Sequence, residues 1–106
     1  MEAGNSDEDE DMITKTNCLI GNYPNPFNPQ TFISYNLIDN NQVYINIYNI
    51  KGELVRSLVN ADQTAGDYTV CWDGKDNLGT SAGSGVYFYK LETKDFTATR
   101  RMVMLK

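Results

Sequence analysis

From Thr31 onward, apolar side chains return at every second position, and no stretch sustains a helical period. Ile33, Tyr35 and Leu37 alternate with Phe32, Ser34 and Asn36; Val43, Ile45 and Ile47 alternate with Tyr44, Asn46 and Tyr48; Tyr68, Val70 and Trp72 share a parity further on. A period of two puts one set of side chains on the core face of a sheet and the other on the opposite face. These nine residues are therefore the expected core. The links carry turn chemistry: Asp39-Asn40-Asn41 after the first run, and Asn49-Ile50-Lys51-Gly52 before Glu53–Val59, where Gly52 suits a tight hairpin. Asn60–Gly66 leads into Asp67–Trp72, a glycine-rich loop spans Asp73–Gly85, and Val86–Glu92 and Phe96–Leu105 form a last pair about Lys94-Asp95. About seven short strands with a turn every ten residues is the spacing of an antiparallel β-sandwich, so the chain reads as all-β.

Ahead of this pattern lie two different segments. Residues 22–30 form a proline-rich lead-in, Tyr23-Pro24-Asn25-Pro26-Phe27-Asn28-Pro29, which holds all three prolines. Proline fixes φ and drives its predecessor toward extended geometry, so Asn17–Gln30 is expected to be stiff and non-helical, with Tyr23 and Phe27 packing on the domain. Residues 1–16 carry six acids, Glu2 and the run Asp7–Asp11, against Lys15 alone. Of the chain's fourteen acids and nine bases, this leaves eight of each in residues 17–106. The expected division is an acidic flexible linker or tail at 1–16 and a formally neutral domain at 17–106. A like-charged block repels itself and stays extended. Met1–Asp11 has no Lys or Arg and no apolar stretch, unlike a secretory signal, so the chain reads as a piece of a longer protein.

The same residues exclude several kinds of chemistry. With no histidine, catalytic sites that need imidazole are ruled out, as are zinc sites built on it. Cys18 and Cys71 cannot make a structural zinc site alone, and no glycine-rich loop sits between a strand and a helix to cradle phosphate. No catalytic residue, cofactor or metal is expected. A neutral domain lacks the basic surface that nucleic acid requires, and no apolar run approaches the ~20 residues of a membrane span. Asp73, Asp76 and Asn77 could offer oxygens to calcium, but turn capping accounts for them better. Phe32, Tyr44, Tyr48 and Phe88 suggest an outward aromatic face that could stack on sugars or bury against a partner, but cross-strand aromatic pairing or burial under a neighbouring domain accounts for it better. Whether Cys18 and Cys71 pair stays open, since a bridge would need the lead-in to cross the outer face of the sheet.

Over about residues 19–106, the ordered motifs resemble a known family. Tyr23–Pro29 is followed by Thr31-x-Ile33-x-Tyr35-x-Leu37, Ile47-Tyr48-Asn49-x-x-Gly52-x-x-Val55, Gly66-x-Tyr68-x-Val70-x-Trp72-Asp73-Gly74, Ser84-Gly85-Val86-Tyr87-x-Tyr89-x-Leu91 and Arg101–Lys106. This series resembles the C-terminal sorting domain of the type IX secretion system, and it is shared with the immunoglobulin-like domain of the flagellar hook-capping protein. The resemblance implies an immunoglobulin-like sandwich that directs a larger secreted bacterial protein, its cargo in the same parent chain, through the outer membrane. The implied partners are the outer-membrane translocon and a sortase-like protease that cuts within about residues 1–22. The protein would then be secreted, or anchored at the cell surface, after passing the periplasm. Recognition is expected in the Gly85–Leu91 strand and the terminal strand, at Gly85, Tyr87, Leu91, Arg100, Arg101 and Lys106. An edge strand with this cationic end could add to a partner sheet. The alternatives are a structural domain of the hook-cap type and a carbohydrate-binding accessory module.

Overall fold

A computed structural model describes residues 16–106; the acidic run Asp7–Asp11 and the rest of residues 1–15 lie outside the described residues. Seven strands form two antiparallel sheets: β1 (Cys18–Tyr23), β2 (Thr31–Leu37), β3 (Asn41–Asn49), β4 (Leu54–Gln63), β5 (Gly66–Trp72), β6 (Gly85–Glu92) and β7 (Thr97–Met104). One sheet has the order β1-β2-β5 and the other β4-β3-β6-β7. The chain changes sheet at the 38–40 turn, again at Thr64-Ala65, and again through the long loop 73–84. Each sheet alone has one apolar face, and stacking the two faces is how the chain removes them from water.

Parity sets the core. Ile33, Tyr35 and Leu37 from β2, Val43, Ile45 and Ile47 from β3, and Trp72 from β5 are buried, joined by Tyr89, Leu91, Met102 and Met104 from the terminal pair. Tyr68 and Val70 lie on the same face but are half-buried, because β5 is the edge of its sheet. Tyr68 instead stacks on Tyr35, with ring centroids 5.3 Å apart and planes 13° from parallel. The 49–52 hairpin closes with Gly52 N–H donating to Asn49 O over 2.9 Å, and Gly52 takes a φ of 84°, where a side chain would be strained.

Three expectations need correction. The stiff, non-helical stretch includes a strand, since Cys18–Tyr23 pairs with β2, so the part of the expected 1–22 cleavage range from Cys18 onward is backbone-paired. A bulge between Leu19 and Gly21 reverses the parity of β1, so Leu19 faces the core while Tyr23 turns outward and is 81% exposed. The fourth strand also runs to Gln63 rather than ending at Val59, taking in residues assigned to a connection. Finally, the aromatic face divides: Tyr44, Tyr48 and Phe88 share the outer face of the four-stranded sheet, and Phe32 belongs to the other sheet.

Candidate functional site

Parts of four motifs meet at one end of the sandwich, the lead-in, the stretch Trp72-Asp73-Gly74, the start of β6 and the terminal strand, while Leu37, Gly66 and Leu91 lie toward the other. Trp72 closes β5 with no exposed surface, its Nε1 donating to Lys75 O over 2.9 Å. Around it, Phe27 of the lead-in packs at 5.7 Å and Tyr87 of β6 meets it edge-on at 5.2 Å. Gly74, with a φ of 80°, lets the loop pass so close that a Cβ there would lie 2.6 Å from Pro29 O and 3.3 Å from Met104 Cε. Lead-in, tryptophan loop and terminal strand, far apart in sequence, thus meet in one aromatic knot.

The knot also closes the edge of the terminal strand. Phe27 bridges Met104 in parallel: Phe27 N–H donates to Val103 O over 3.0 Å, and Leu105 N–H donates to Phe27 O over 2.9 Å. Asn25 Oδ1 accepts from Val103 N–H at 3.0 Å. The lead-in is itself held by Thr31, which is wholly buried and whose hydroxyl donates to Pro24 O over 2.8 Å. Asn22 donates to the same hydroxyl and accepts from Tyr89 Oη at 3.0 Å. The expected free edge is therefore occupied along its last residues, and only the Thr97–Arg101 part lies beyond the bridge.

The six expected recognition residues do not make one surface. Tyr87 and Leu91 face the core, where burial pushes the Tyr87 phenol up and its hydroxyl donates to Gly83 O over 2.6 Å. They can serve a partner only by shaping the strand. Arg100 and Arg101 diverge, as neighbours on a strand must. Arg100 sits opposite Tyr89, and its Nε donates to Leu19 O over 2.9 Å, which ties β7 to β1 across the open seam. Burial raises the Tyr89 phenol, with the Arg100 charge working against it. Arg101 is exposed on the outer face opposite Phe88. Lys106 is exposed with its N–H on Ser84 Oγ, and Gly85 opens β6 opposite Met104 with open space at its Cα. The outward partners that sequence reasoning missed are Val86 and Val103, which face each other beside the Phe88–Arg101 pair. Period-two parity was the signal that would have found them.

The acidic loop is a set of caps. Asp76 Oδ1 accepts from the Leu78 and Thr80 N–H groups, each over 2.9 Å, and Asn77 Oδ1 accepts from Ser57 N–H at 3.0 Å. Asp73 meets Arg56 at 3.0 Å; although burial opposes it, the Lys75 N–H and the Arg56 guanidinium hold its carboxyl below the usual range. No cluster of three potential metal ligands occurs among the described residues. Cys18 sits level with Asn36 and Asp67, and Cys71 with Phe32, so the two thiols lie two strands and four residues apart. That is on the order of 16 Å, well beyond disulfide reach, and both are free.

A family model described as the FlgD Ig-like domain matches residues 33–95, more than half of the chain. Among solved structures, the chain is similar to dimeric latent PorU from Porphyromonas gingivalis, with 19% identity, 84% of this chain and 9% of that one covered, and a TM-score of 0.67. FLGD from P. aeruginosa is 29% identical over 70% of this chain and 57% of its own, with a TM-score of 0.56. PorZ, a surface component of the type IX secretion system of P. gingivalis, is 18% identical over 80% of this chain and 11% of its own, with a TM-score of 0.57. The chain thus spans about a tenth of PorU and of PorZ and somewhat over half of FLGD. No curated protein matches the sequence. The two sheets are those of an immunoglobulin-like fold.

Proposed function

The chain belongs to the FlgD Ig-like domain family, a family of non-catalytic structural domains, and from that premise we propose that it is the C-terminal sorting module of a larger secreted bacterial protein. In this reading the type IX translocon of the outer membrane recognises the end of the domain, and a sortase-like protease separates or anchors the cargo. The observation that carries the proposal is the bridge between Phe27 and Met104. It joins the first and last motifs of the sorting-domain pattern into one unit, so the last strand is tied to the lead-in as a built feature of the fold. Arg101, Lys106 and the Val86–Val103 pair supply the outward surface, while Tyr87 and Leu91 act from within. Cleavage would fall ahead of Cys18, where β1 begins.

The test is export of a reporter fused ahead of residues 16–106 in a bacterium with this secretion system. Full export is expected for the wild-type domain, and strongly reduced export for Arg101→Ala combined with Lys106→Ala, which leaves every core contact in place. Because removing Arg101–Lys106 also removes Met102 and Met104 from the core, the double substitution is the deciding variant. Undiminished export of a double variant that melts like wild type would overturn the assignment of these two residues. Failure of the wild-type fusion to leave the cell would overturn the sorting role itself.

A structural role of the hook-cap kind is the second reading, favoured by the 29% identity to FLGD. It predicts no export of the reporter and an assembly partner for the same domain.

A further inference from the structure

We propose that the end of the sandwich opposite the aromatic knot carries a binding site for neutral saccharides, in a cleft formed by Asn40, Asn41, Gln42, Asp62, Gln63 and Lys94. The cleft measures about 550 Å³, within the size range of small-molecule sites. It lies where β3 begins and β4 ends, with Asn41 paired to Gln63 and Gln42 to Asp62.

The amides of this cleft are oriented in advance. Asn40 Oδ1 accepts from Ala65 N–H at 3.0 Å, Asn41 Oδ1 from Lys94 N–H at 3.2 Å, and Gln63 Oε1 from Tyr35 Oη at 2.7 Å. Tyr35 is buried, so the Gln63 amide is anchored from the core itself. With all three carbonyl oxygens engaged, three NH₂ groups are left over, and none of them has an acceptor among the described residues. Asp62 supplies the opposite property. The Gln42 amide, turned so that its N–H meets the carboxylate, donates to Asp62 Oδ1 over 2.8 Å, which leaves further acceptor positions on that carboxylate. Tyr44 does not line the cleft; it stands beside it, two residues from Gln42 on the same outer face, about 7 Å away, with 38% of its surface exposed.

The chemistry of the wall selects the ligand. An anion would meet the Asp62 carboxylate, and a cation would meet Lys94 together with three amide donors. A sugar hydroxyl donates and accepts at once, so neighbouring hydroxyls can donate hydrogen bonds to Asp62 and accept them from the amides. Tyr44 offers a ring face for the apolar side of a pyranose. Asn41 also borders a second, smaller cleft of about 220 Å³, which gives an extended glycan a direction in which to continue.

The test is titration of the ¹⁵N-labelled domain with maltose, cellobiose and mannobiose, observing side-chain NH₂ resonances directly. The expected result is saturable shifts of the Asn40, Asn41 and Gln63 NH₂ signals with at least one disaccharide. Affinity should fall roughly tenfold or more for Asp62→Ala, a loss of about two hydrogen bonds. Tyr44→Ala should weaken binding as well. Neither residue belongs to the core, and the backbone spectrum reports in the same experiment that the fold is intact. Absence of saturable shifts with all three sugars would overturn the proposal, as would shifts unchanged in Asp62→Ala. Export of the reporter is independent of this site, so the two proposals can fail separately.

Discussion

Replacing Phe27 with alanine separates the two jobs of the lead-in, filling the core and closing the β7 edge. Phe27 is 2% exposed and packs against Trp72. Burying a phenylalanine side chain stabilises by about 1.5–3 kcal/mol in transfer alone, and the cavity left behind brings the cost of Phe→Ala to about 3–5 kcal/mol. The three hydrogen bonds that tie residues 25–27 to Val103 and Leu105 add little to that figure, because an undocked edge exchanges them for water. Against a total stability of about 5–15 kcal/mol, the variant folds but is marginal. Its melting temperature should fall by more than about 12 °C, since each kcal/mol shifts a domain of this size by about 4–8 °C. Amide hydrogen exchange then resolves the second job. In Phe27→Ala the Val103 and Leu105 amides should exchange faster than global unfolding allows, while the Tyr89 and Leu91 amides in β6 should follow global stability alone. A loss under about 1 kcal/mol, or Val103 and Leu105 exchanging in step with β6, would refute the claim that Phe27 anchors the edge closure.

Trp72→Ala should cost about 3–5 kcal/mol in a urea melt, because it leaves a void between Phe27 and Tyr87 and removes one of the two donors to Lys75 O, the other being Arg56 Nη1. Gly74→Ala should cost at least about 2 kcal/mol, from the strain of a left-handed backbone plus the collision with Pro29 O. Gly52→Ala, at a φ of 84° but with open space, pays only the strain; equal losses at the two sites would refute the close approach at Gly74. Burial raises the Tyr35, Tyr87 and Tyr89 phenols above their ordinary value, so stability is full below about pH 10 and declines as pH climbs through the raised values. Tyr35→Phe should make that alkaline decline shallower in melts from pH 8 to 11, at the cost at neutral pH of the bond to Gln63. An unchanged slope would count against a buried Tyr35 phenol.

The strands from Thr31 onward were legible because each is a run of strict alternation with one side buried, and burial then forces the register. Cys18–Tyr23 was not legible, since its bulge puts both Leu19 and Asn22 inward and breaks the period that would reveal a strand. The docking of Phe27 on Met104 was equally hidden. Nothing local to Asn25 announces a bond to Val103, 78 residues away, and only closure of the sandwich brings the two together. Parity did contain one answer that the family pattern obscured: Tyr87, Tyr89 and Leu91 alternate with Val86, Phe88 and Lys90, so the first set was bound to face the core. The cleft beside Asn41 was beyond reach for another reason. Its asparagines read as turn residues, which Asn40 is, while Asn41 opens β3; that their carbonyl oxygens are spent on neighbouring turns while their NH₂ groups are left over is a matter of geometry.

The irregular motifs gain a physical meaning from where they sit on the four-stranded sheet. An antiparallel sheet has two edges, and each offers unpaired backbone groups to any passing strand. On β7 the cap is Phe27, and on β4 it is Asn77, whose N–H donates to Val55 O and whose side chain accepts from Ser57 N–H. Capping one strand with another ordinarily only moves the edge outward. Here Phe27 is preceded by Pro26 and followed two residues later by Pro29, and proline has no N–H to continue a ladder. The cap therefore satisfies Val103 and Leu105 without becoming a template itself. On β4 a single side chain and one amide do the same, and the Arg56–Asp73 pair places charge beside the edge. What stays open on β7 is the short stretch from Thr97 to Arg101. A partner strand that joined this sheet on the β7 side would find that stretch free, next to the exposed guanidinium of Arg101, whereas on the opposite edge the caps reach only Val55 and Ser57 of β4.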